Sequence, residues 1–559
     1  MGGQKRRWKT IIGISAAFLG LVFVLLLLMA NRLVTPMLRE RLHTLIIQGS
    51  DSLYQYELGG LRANFFGGNV TVENLRLDVD SNHYRRLDSA HALPSLTMQL
   101  HLQRGYISGL SVFRLLFSKR IEITEIGSQD ADVRLSRHVR PENMPDNVQP
   151  LWKTLQPVIN SIQIDRINLD GIKLLYANAD TSASVKLQFD KCVAHFDNVR
   201  VDSAAAADTS RIAFTKNITL RLSDLKYRTP DSLYKMQAEA IYYSSGRRYL
   251  EVVDFKLQPT LDRAAFYKAM GRRLSRYEVA FGKAYFTNLR LDRFIHDNII
   301  LADSAVMLQP DLQIYLDKTL PPEYISKLGT YPHQRLLHAP MAIDVRTLYF
   351  KNAAMSYTER SEKTGQEGTL TFAGTDLLVS NVTNLPARIK KEPLCVAQMN
   401  TRIFETSPLQ ARFTFYLDSA DGAWAVSGKA GNVGAAQLNK VAIPLGNTEL
   451  TSGNIENIQF ALRGDSYRGY GKVEMRYSNM SVILRTIDDE TGALKTKKWL
   501  TKLLNRFTLH PDNPDASGVL RQGNEVVYAR PSNQSFFTTI WKTLLKGMQE
   551  VMLKSGVYE

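Results

Sequence analysis

In the stretch Ile162-Gln163-Ile164-Asp165-Arg166-Ile167-Asn168-Leu169-Asp170-Gly171-Ile172-Lys173-Leu174, apolar residues fall on alternate positions, skip two, and alternate again. A period of two marks a strand with one face in apolar surroundings. Past the skip at Asp165-Arg166 the second half points to the opposite face unless a bulge restores it. Asp170-Gly171 reads as a hairpin turn, after which Ile172-Lys173-Leu174 resumes the alternation.

The pattern recurs. Val70-Val72-Leu75-Leu77, Leu220-Leu222-Leu225-Tyr227, Ala284-Phe286-Leu289-Leu291 and Ile343-Val345-Leu348-Phe350 all have it, and Ile121-Ile123-Ile126 has its first three members. Recurrence at one spacing indicates a repeated strand unit. A larger echo joins Ile164–Tyr176 to Val345–Tyr357, and Leu187, Phe189 and Asn198-Val199 to Leu370, Phe372 and Asn381-Val382. Leu257-Gln258-Pro259 and Leu308-Gln309-Pro310 form a weaker one.

The chain has 559 residues, with 44% hydrophobic and 22% charged, so most of it can bury a core. Its formal net charge of +16 fits nucleic acid, an anionic membrane or plain solubility. Lys and Arg concentrate only near the two ends, without a basic patch interleaved with stacking aromatics, which favours a membrane over nucleic acid. Cys192 and Cys395 are too few for a metal site or a disulfide framework; a single long-range disulfide and two buried free thiols both fit.

Ile11–Ala30 is a run without charge, preceded by Lys5, Arg6, Arg7 and Lys9. Its length matches the ~20 residues that cross a bilayer, and Leu28-Met29-Ala30 makes a poor cleavage site. An uncleaved anchor is expected, with residues 1–7 cytoplasmic, 8–30 in the membrane and the bulk beyond it. A connecting helix is expected over 31–57, from Thr35-Pro36 to a stop at Gly59-Gly60. An N-terminal β unit spans 58–140, opening with a hairpin through Phe65-Phe66-Gly67-Gly68 and holding a short helix near Val112–Phe117. The Pro- and Asn-rich segment from His138 to Pro150 reads as a linker, and with a short helix near Trp152–Val158 it occupies 141–157. Regular short strands then fill 158–493, interrupted by helical signals near Leu261–Leu274 and Pro322–Leu328. In 494–559, a C-terminal β segment accompanies two basic amphipathic helices, Leu494–Phe507 and Ser532–Leu553. Each helix either caps a sheet or docks on a membrane, and the candidates for docking are Trp499, Leu503, Phe507, Trp541, Leu544 and Met548.

No metal-ligand, phosphate-loop or nucleophile-elbow spacing is present. Gly464-Asp465-Ser466 resembles a lipase nucleophile block, but the Asp-x-x-His that should follow occurs only upstream, at Asp88–His91. The expectation is a non-enzyme with no catalytic residue, no metal and no cofactor.

Three blocks of residues carry a resemblance: the N-terminal anchor; Phe66-Gly67-Gly68 running into Val70-Thr71-Val72-Glu73-Asn74-Leu75-Arg76-Leu77; and Ile121-Glu122-Ile123-Thr124-Glu125-Ile126. With Gly453-Asn454-Ile455, Tyr470-Gly471-Lys472-Val473 and Arg530-Pro531-Ser532 near the end, the chain resembles the AsmA-like family of Gram-negative envelope proteins, which includes TamB. The resemblance implies a mainly β fold: an elongated, twisted, repeat-built sheet forming an open groove, related to bridge-like lipid-transfer proteins. It also implies an inner-membrane anchor, a periplasmic bulk, an apolar lining for phospholipid chains and no catalytic residues.

The expected function is binding and moving phospholipids along that groove, in support of outer-membrane lipid homeostasis and biogenesis of the cell envelope. The expected partners are membrane phospholipids and another envelope protein, with no nucleic acid. Candidate groove residues are Val70, Val72, Ile121, Ile123, Ile162, Ile164, Phe189, Leu220, Leu222, Phe286, Ile343, Val345 and Phe372. About 25 strands at ~4.8 Å give a track on the order of 120 Å. The alternative is a non-enzymatic scaffold for envelope or outer-membrane-protein assembly, recruiting strands at sheet edges.

Overall fold

The computed structural model describes residues 53–64, 68–89, 96–111, 114, 118–138, 160–178, 186–208, 210–212, 214–322, 324–487, 494–496 and 509–554. Among these residues the protein is mainly β, with 21 strands in one mixed sheet. The chain divides into an N-terminal unit (1–255 with 287–299) and a C-terminal unit (256–286 with 300–559).

The strands of the N-terminal unit are β1 (Tyr54–Asn64), β2 (Asn69–Val79), β3 (Leu96–Ser108), β4 (Arg120–Arg137), β5 (Ser161–Asn178), β6 (Lys186–Val201), β7 (Asn217–Arg228) and β8 (Tyr234–Ser244). All neighbours from β1 to β8 pair antiparallel except β4 and β5, which are parallel. Two short helices interrupt them, α1 (Ser81–Ser89) and α2 (Ser203–Ala207).

The registers place apolar residues in rungs across the strands. One rung is Val70–Ile107–Ile126–Ile167–Phe196–Ile218; another is Leu77–Leu100–Val133–Leu174–Phe189–Leu225–Ala238. Strand alternation alone dictates this, because directly opposed residues share a face.

The skip has a backbone cause. Asn74 between Val72 and Leu75, and Asp224 between Leu222 and Leu225, take φ of 51° and 56°. Where β5 skips at Asp165-Arg166, the left-handed residue lies on the neighbouring strand: Ile164 pairs with Val199 and Arg166 with Asp197, leaving Asn198 at φ 54°. The register runs through these positions without a shift, so a single left-handed residue, and not an inserted one, accompanies each skip. Asn and Asp tolerate this conformation better than other non-glycine residues. Ile164 and Ile167 are accordingly buried in one core, together with Ile123 and Ile126.

Asp170-Gly171 is not a hairpin. β5 runs straight through it, with Gly171 at φ 66° in a bulge. Both halves of β5 stay paired to β4, so the chain bends there and does not reverse. A Cβ on Gly171 would meet Asp130 Oδ1 at 2.4 Å, which adds a steric reason for glycine.

After β9 (Tyr249–Pro259) come α3 (Arg263–Met270), β10 (Arg276–Thr287), α4 (Leu291–Asp297), β11 (Ile299–Leu308), β12 (Asp311–Asp317), α5 (Pro332–Leu337), β13 (Ala342–Arg360), β14 (Glu367–Thr383) and α6 (Pro386–Ile389). The C-terminal unit continues with β15 (Leu394–Ile403), β16 (Ser407–Tyr416), β17 (Trp424–Gly434), α7 (Ala435–Gly446), β18 (Thr448–Gly464), β19 (Arg468–Ile487), β20 (Leu494–Thr496), β21 (Gln522–Ala529) and α8 (Phe536–Met552).

The long echo is realised in backbone geometry. β5 and β13 each pair in parallel with the strand before and antiparallel with the strand after. Gly171 and Asn352 occupy equivalent bulges, and Asn198 and Asn381 occupy equivalent positions without a register shift, all at positive φ.

Several expectations change. Tyr54–Glu57 belong to β1, as do Gly59-Gly60, because Tyr56 and Leu58 oppose Leu77 and Leu75 of β2; the rest of the expected helix, 31–52, lies outside the described residues. The segment 141–157 also lies outside them. The strands on either side of it, β4 and β5, pair in parallel. The units divide after Phe255 instead. No helix forms among the described residues of 322–328; the helix starts at Pro332, whose fixed φ suits a first turn. Leu494–Thr496 is a strand against β19, and Trp499, Leu503 and Phe507 lie outside the described residues. Ile11–Ala30 lies outside them too, and no helix among the described residues is long and apolar enough to cross a membrane. Both cysteines are free and buried, and burial pushes each thiol up to about 11.

Candidate apolar binding face

The C-terminal unit carries the apolar face through two regimes. Toward the C-terminus helices cover it. α8 lies on β19 and β21, α7 on β14 and β18, and α5 touches β14. Ser535 caps α8 by accepting from Thr538 N. Thr539 and Thr543, both fully buried, return their hydroxyls to the carbonyls of Ser535 and Thr539. Gly547 allows close approach, since a Cβ there would sit 2.4 Å from Val473 Cγ2. Phe536 closes the core edge-on against Trp424 and Tyr331.

His333 is sealed in this core at 2% exposure, stacked on Phe415 with ring centroids 5.1 Å apart. Burial pulls its pKa from 6.5 to about 4. Its folded pKa lies below its unfolded one, so the fold favours the neutral ring. Stability is full above pH ~6.5 and falls as the pH drops toward 4, by up to about 3 kcal/mol. Hydrogen exchange in Trp424–Gly434 should therefore speed up between pH 7 and 4.5, after correction for the intrinsic rate, and His333→Phe should flatten that dependence. An unchanged profile in the variant would remove His333 as the cause.

Toward β10 the face is less deeply buried among the described residues. Registers across β10, β12, β13 and β14 give the rungs Tyr277–Ile314–Tyr357–Leu370 and Val279–Leu312–Met355–Phe372. Tyr277 is 41% exposed, and Val279, Leu312, Ile314, Met355, Tyr357 and Phe372 are half-buried and outside the closed cores, against which Leu370 packs. A charged end adjoins the rungs. The Tyr357 hydroxyl donates to Glu359 at 2.8 Å, and Lys318 pairs with Glu359 at 2.7 Å. Burial pushes the Tyr357 phenol well above its ordinary range. Such a face suits an amphiphile: apolar rungs for a chain, cations and acceptors at one end for a polar head.

The candidate groove residues therefore separate. Val70, Val72, Ile121, Ile123, Ile162 and Ile164 are at most 2% exposed and pack together as closed core, not as an open lining. Phe189 and Val345 are each 6% exposed. Leu220, Leu222, Phe286, Ile343 and Phe372 are half-buried, and Leu220 packs against the core of Ile212, Ile218 and Tyr243. Leu312, Ile314 and Met355 were not among the candidates. Leu312-Gln313-Ile314 alternates, but its length gave it no distinction from ordinary strand. Leu544 and Met548 pack on the core beneath α8, which caps the sheet, while Trp541 points outward at 50% exposure.

Ser466 is buried, and its hydroxyl accepts from Gln334 Nε2 at 3.0 Å, a structural arrangement. Among the described residues no three metal-ligating side chains gather. No family model matches the chain, and no curated protein matches it.

Proposed function

We propose that this protein is an envelope protein of the AsmA-like kind, which binds phospholipid on the half-exposed rungs of its sheet and passes it along them. One observation carries the reading: among the described residues helices pack over β14, β18, β19 and β21, while the apolar rungs of β10, β12 and β13 are only half-buried. A sheet face that needs no ligand gains by being covered throughout, because each buried methylene contributes about 0.8 kcal/mol. Lipid chains supply that cover while leaving the strands equivalent enough for sliding. In this reading the sheet forms an open groove where it is uncovered, Ile11–Ala30 anchors the chain in the inner membrane, and the remainder is periplasmic.

The test is photocrosslinking in the full chain with benzoylphenylalanine at Leu312. Phospholipid adducts are expected there and none at Ile164. Introducing Met355→Gln and Phe372→Gln together should lower the Leu312 adduct roughly tenfold, since polar rungs weaken chain binding by more than 1.4 kcal/mol. A protein adduct at Leu312 in place of lipid would favour the scaffold; equal lipid labelling at Ile164 would remove the distinction between covered and uncovered face.

A further inference from the structure

Six exposed large apolar side chains of the C-terminal unit lie on three short segments. Tyr324 (83%), Ile325 (57%) and Leu328 lie in the loop before α5, Tyr467 (60%) in the β18–β19 turn, and Phe537 (66%) and Trp541 (50%) on the outer face of α8. Sequence distance separates them, and Arg530 joins them. Its backbone N–H donates to Tyr467 O at 2.8 Å and its guanidinium to Ser466 O at 2.6 Å, Lys327 O at 2.8 Å and Gln534 O at 2.6 Å. The guanidinium also lies 4.4 Å from the centre of the Tyr331 ring. Lys327 N donates to Ser532 O, which closes the loop onto the segment leading into α8.

Four cations stand near these side chains, while Glu323 precedes Tyr324 in the sequence. Lys327, Arg468, Lys542 and Lys546 are exposed, and among the described residues none of the four pairs with a carboxylate. Asp465, the acid of the turn, is occupied by the backbone N–H groups of Tyr467 and Arg468. Exposed tyrosine and tryptophan beside unpaired lysine is the composition of a surface that sits at a lipid headgroup boundary: ring bodies enter the acyl edge and cations meet phosphate.

We propose that this Arg530-pinned cluster docks on an anionic bilayer surface. It stands apart from the lipid-track reading, since a scaffold can rest on a membrane and a track can lack this contact. Docking places a rigid contact at the C-terminal unit itself, separate from the N-terminal anchor. The surface reads membrane charge without a pocket. Each cation near an anionic leaflet contributes about 1 kcal/mol, or roughly fivefold in binding.

The test uses the full chain in vesicles of phosphatidylcholine alone and of phosphatidylcholine with about a third phosphatidylglycerol, the anionic lipid that supplies this attraction. Benzoylphenylalanine replaces Tyr324, with Val519, itself 57% exposed, as the control position. Lipid adducts are expected at position 324, enriched in the anionic vesicles, and not at 519. Combining Lys327→Glu with Lys542→Glu should cut them more than tenfold, and Phe537→Ser with Trp541→Ser should also cut them, with both pairs on surface positions that leave the core intact. Equal labelling at 324 and 519, indifference to phosphatidylglycerol, or a protein adduct in place of lipid at 324 each overturns the proposal.

Discussion

Ile164→Ala is expected to cost the N-terminal unit about 2–5 kcal/mol, and Ile164→Asp to prevent that unit from folding. Ile164 has no exposed surface and packs within the core built on β2 to β6. Ile123 is its partner on β4 and Val199 its partner on β6. Truncation there leaves a cavity that rigid strands on both sides cannot close, and an aspartate would be buried without a partner. Leu312→Ala, on the half-buried face, should cost less, about 1–2 kcal/mol, because part of what it removes is already in reach of water. Hydrogen exchange of β5 and β12 peptides in the full chain measures both. Equal costs would mean that the two positions share one environment, and the distinction between core and binding face would fail.

Arg530→Met is expected to destabilise the α5–turn–α8 junction by about 3–5 kcal/mol, since each buried acceptor left without a donor costs about 1–3 kcal/mol. Arg530 is 7% exposed, and the carbonyls of Ser466, Lys327 and Gln534 lose their donor together. A methionine fills the space without donating. Arg530→Lys should recover only part of the loss, since one ammonium cannot span the directions that a planar guanidinium reaches at once. Exchange protection should fall at 324–330, 465–468 and 535–540 together, by about two to three powers of ten. Loss confined to one of these segments would show that Arg530 does not join them.

The skip in Ile162–Leu169 was legible as a spacing, but the bulge expected there does not form: the register holds, and a left-handed residue accompanies the skip instead. The side chains that take this conformation were legible only in part. Asn74 and Asp224 lie inside their own skips, but Asn198 serves β5 from β6, and no local window can pair residues that far apart. Asp170-Gly171 misled for the same reason: glycine marks a left-handed residue, and only the neighbouring strand decides between bending and reversing.

The candidate face divides along the same line. Alternation by itself determined that Ile164, Leu222 and Phe372 each sit on an apolar strand face, because period two is a local property of the extended chain. It could not rank them, since burial depends on what arrives from elsewhere. β6 and its neighbours close over Ile164, α8 over Val473, and nothing described closes over Leu312. The same holds for Trp541 and Leu544, three positions apart on one amphipathic helix, where only docking on the sheet decided which is core and which is surface. Composition and periodicity thus determined a β chain with one repeated apolar face; tertiary packing alone decided where that face is covered.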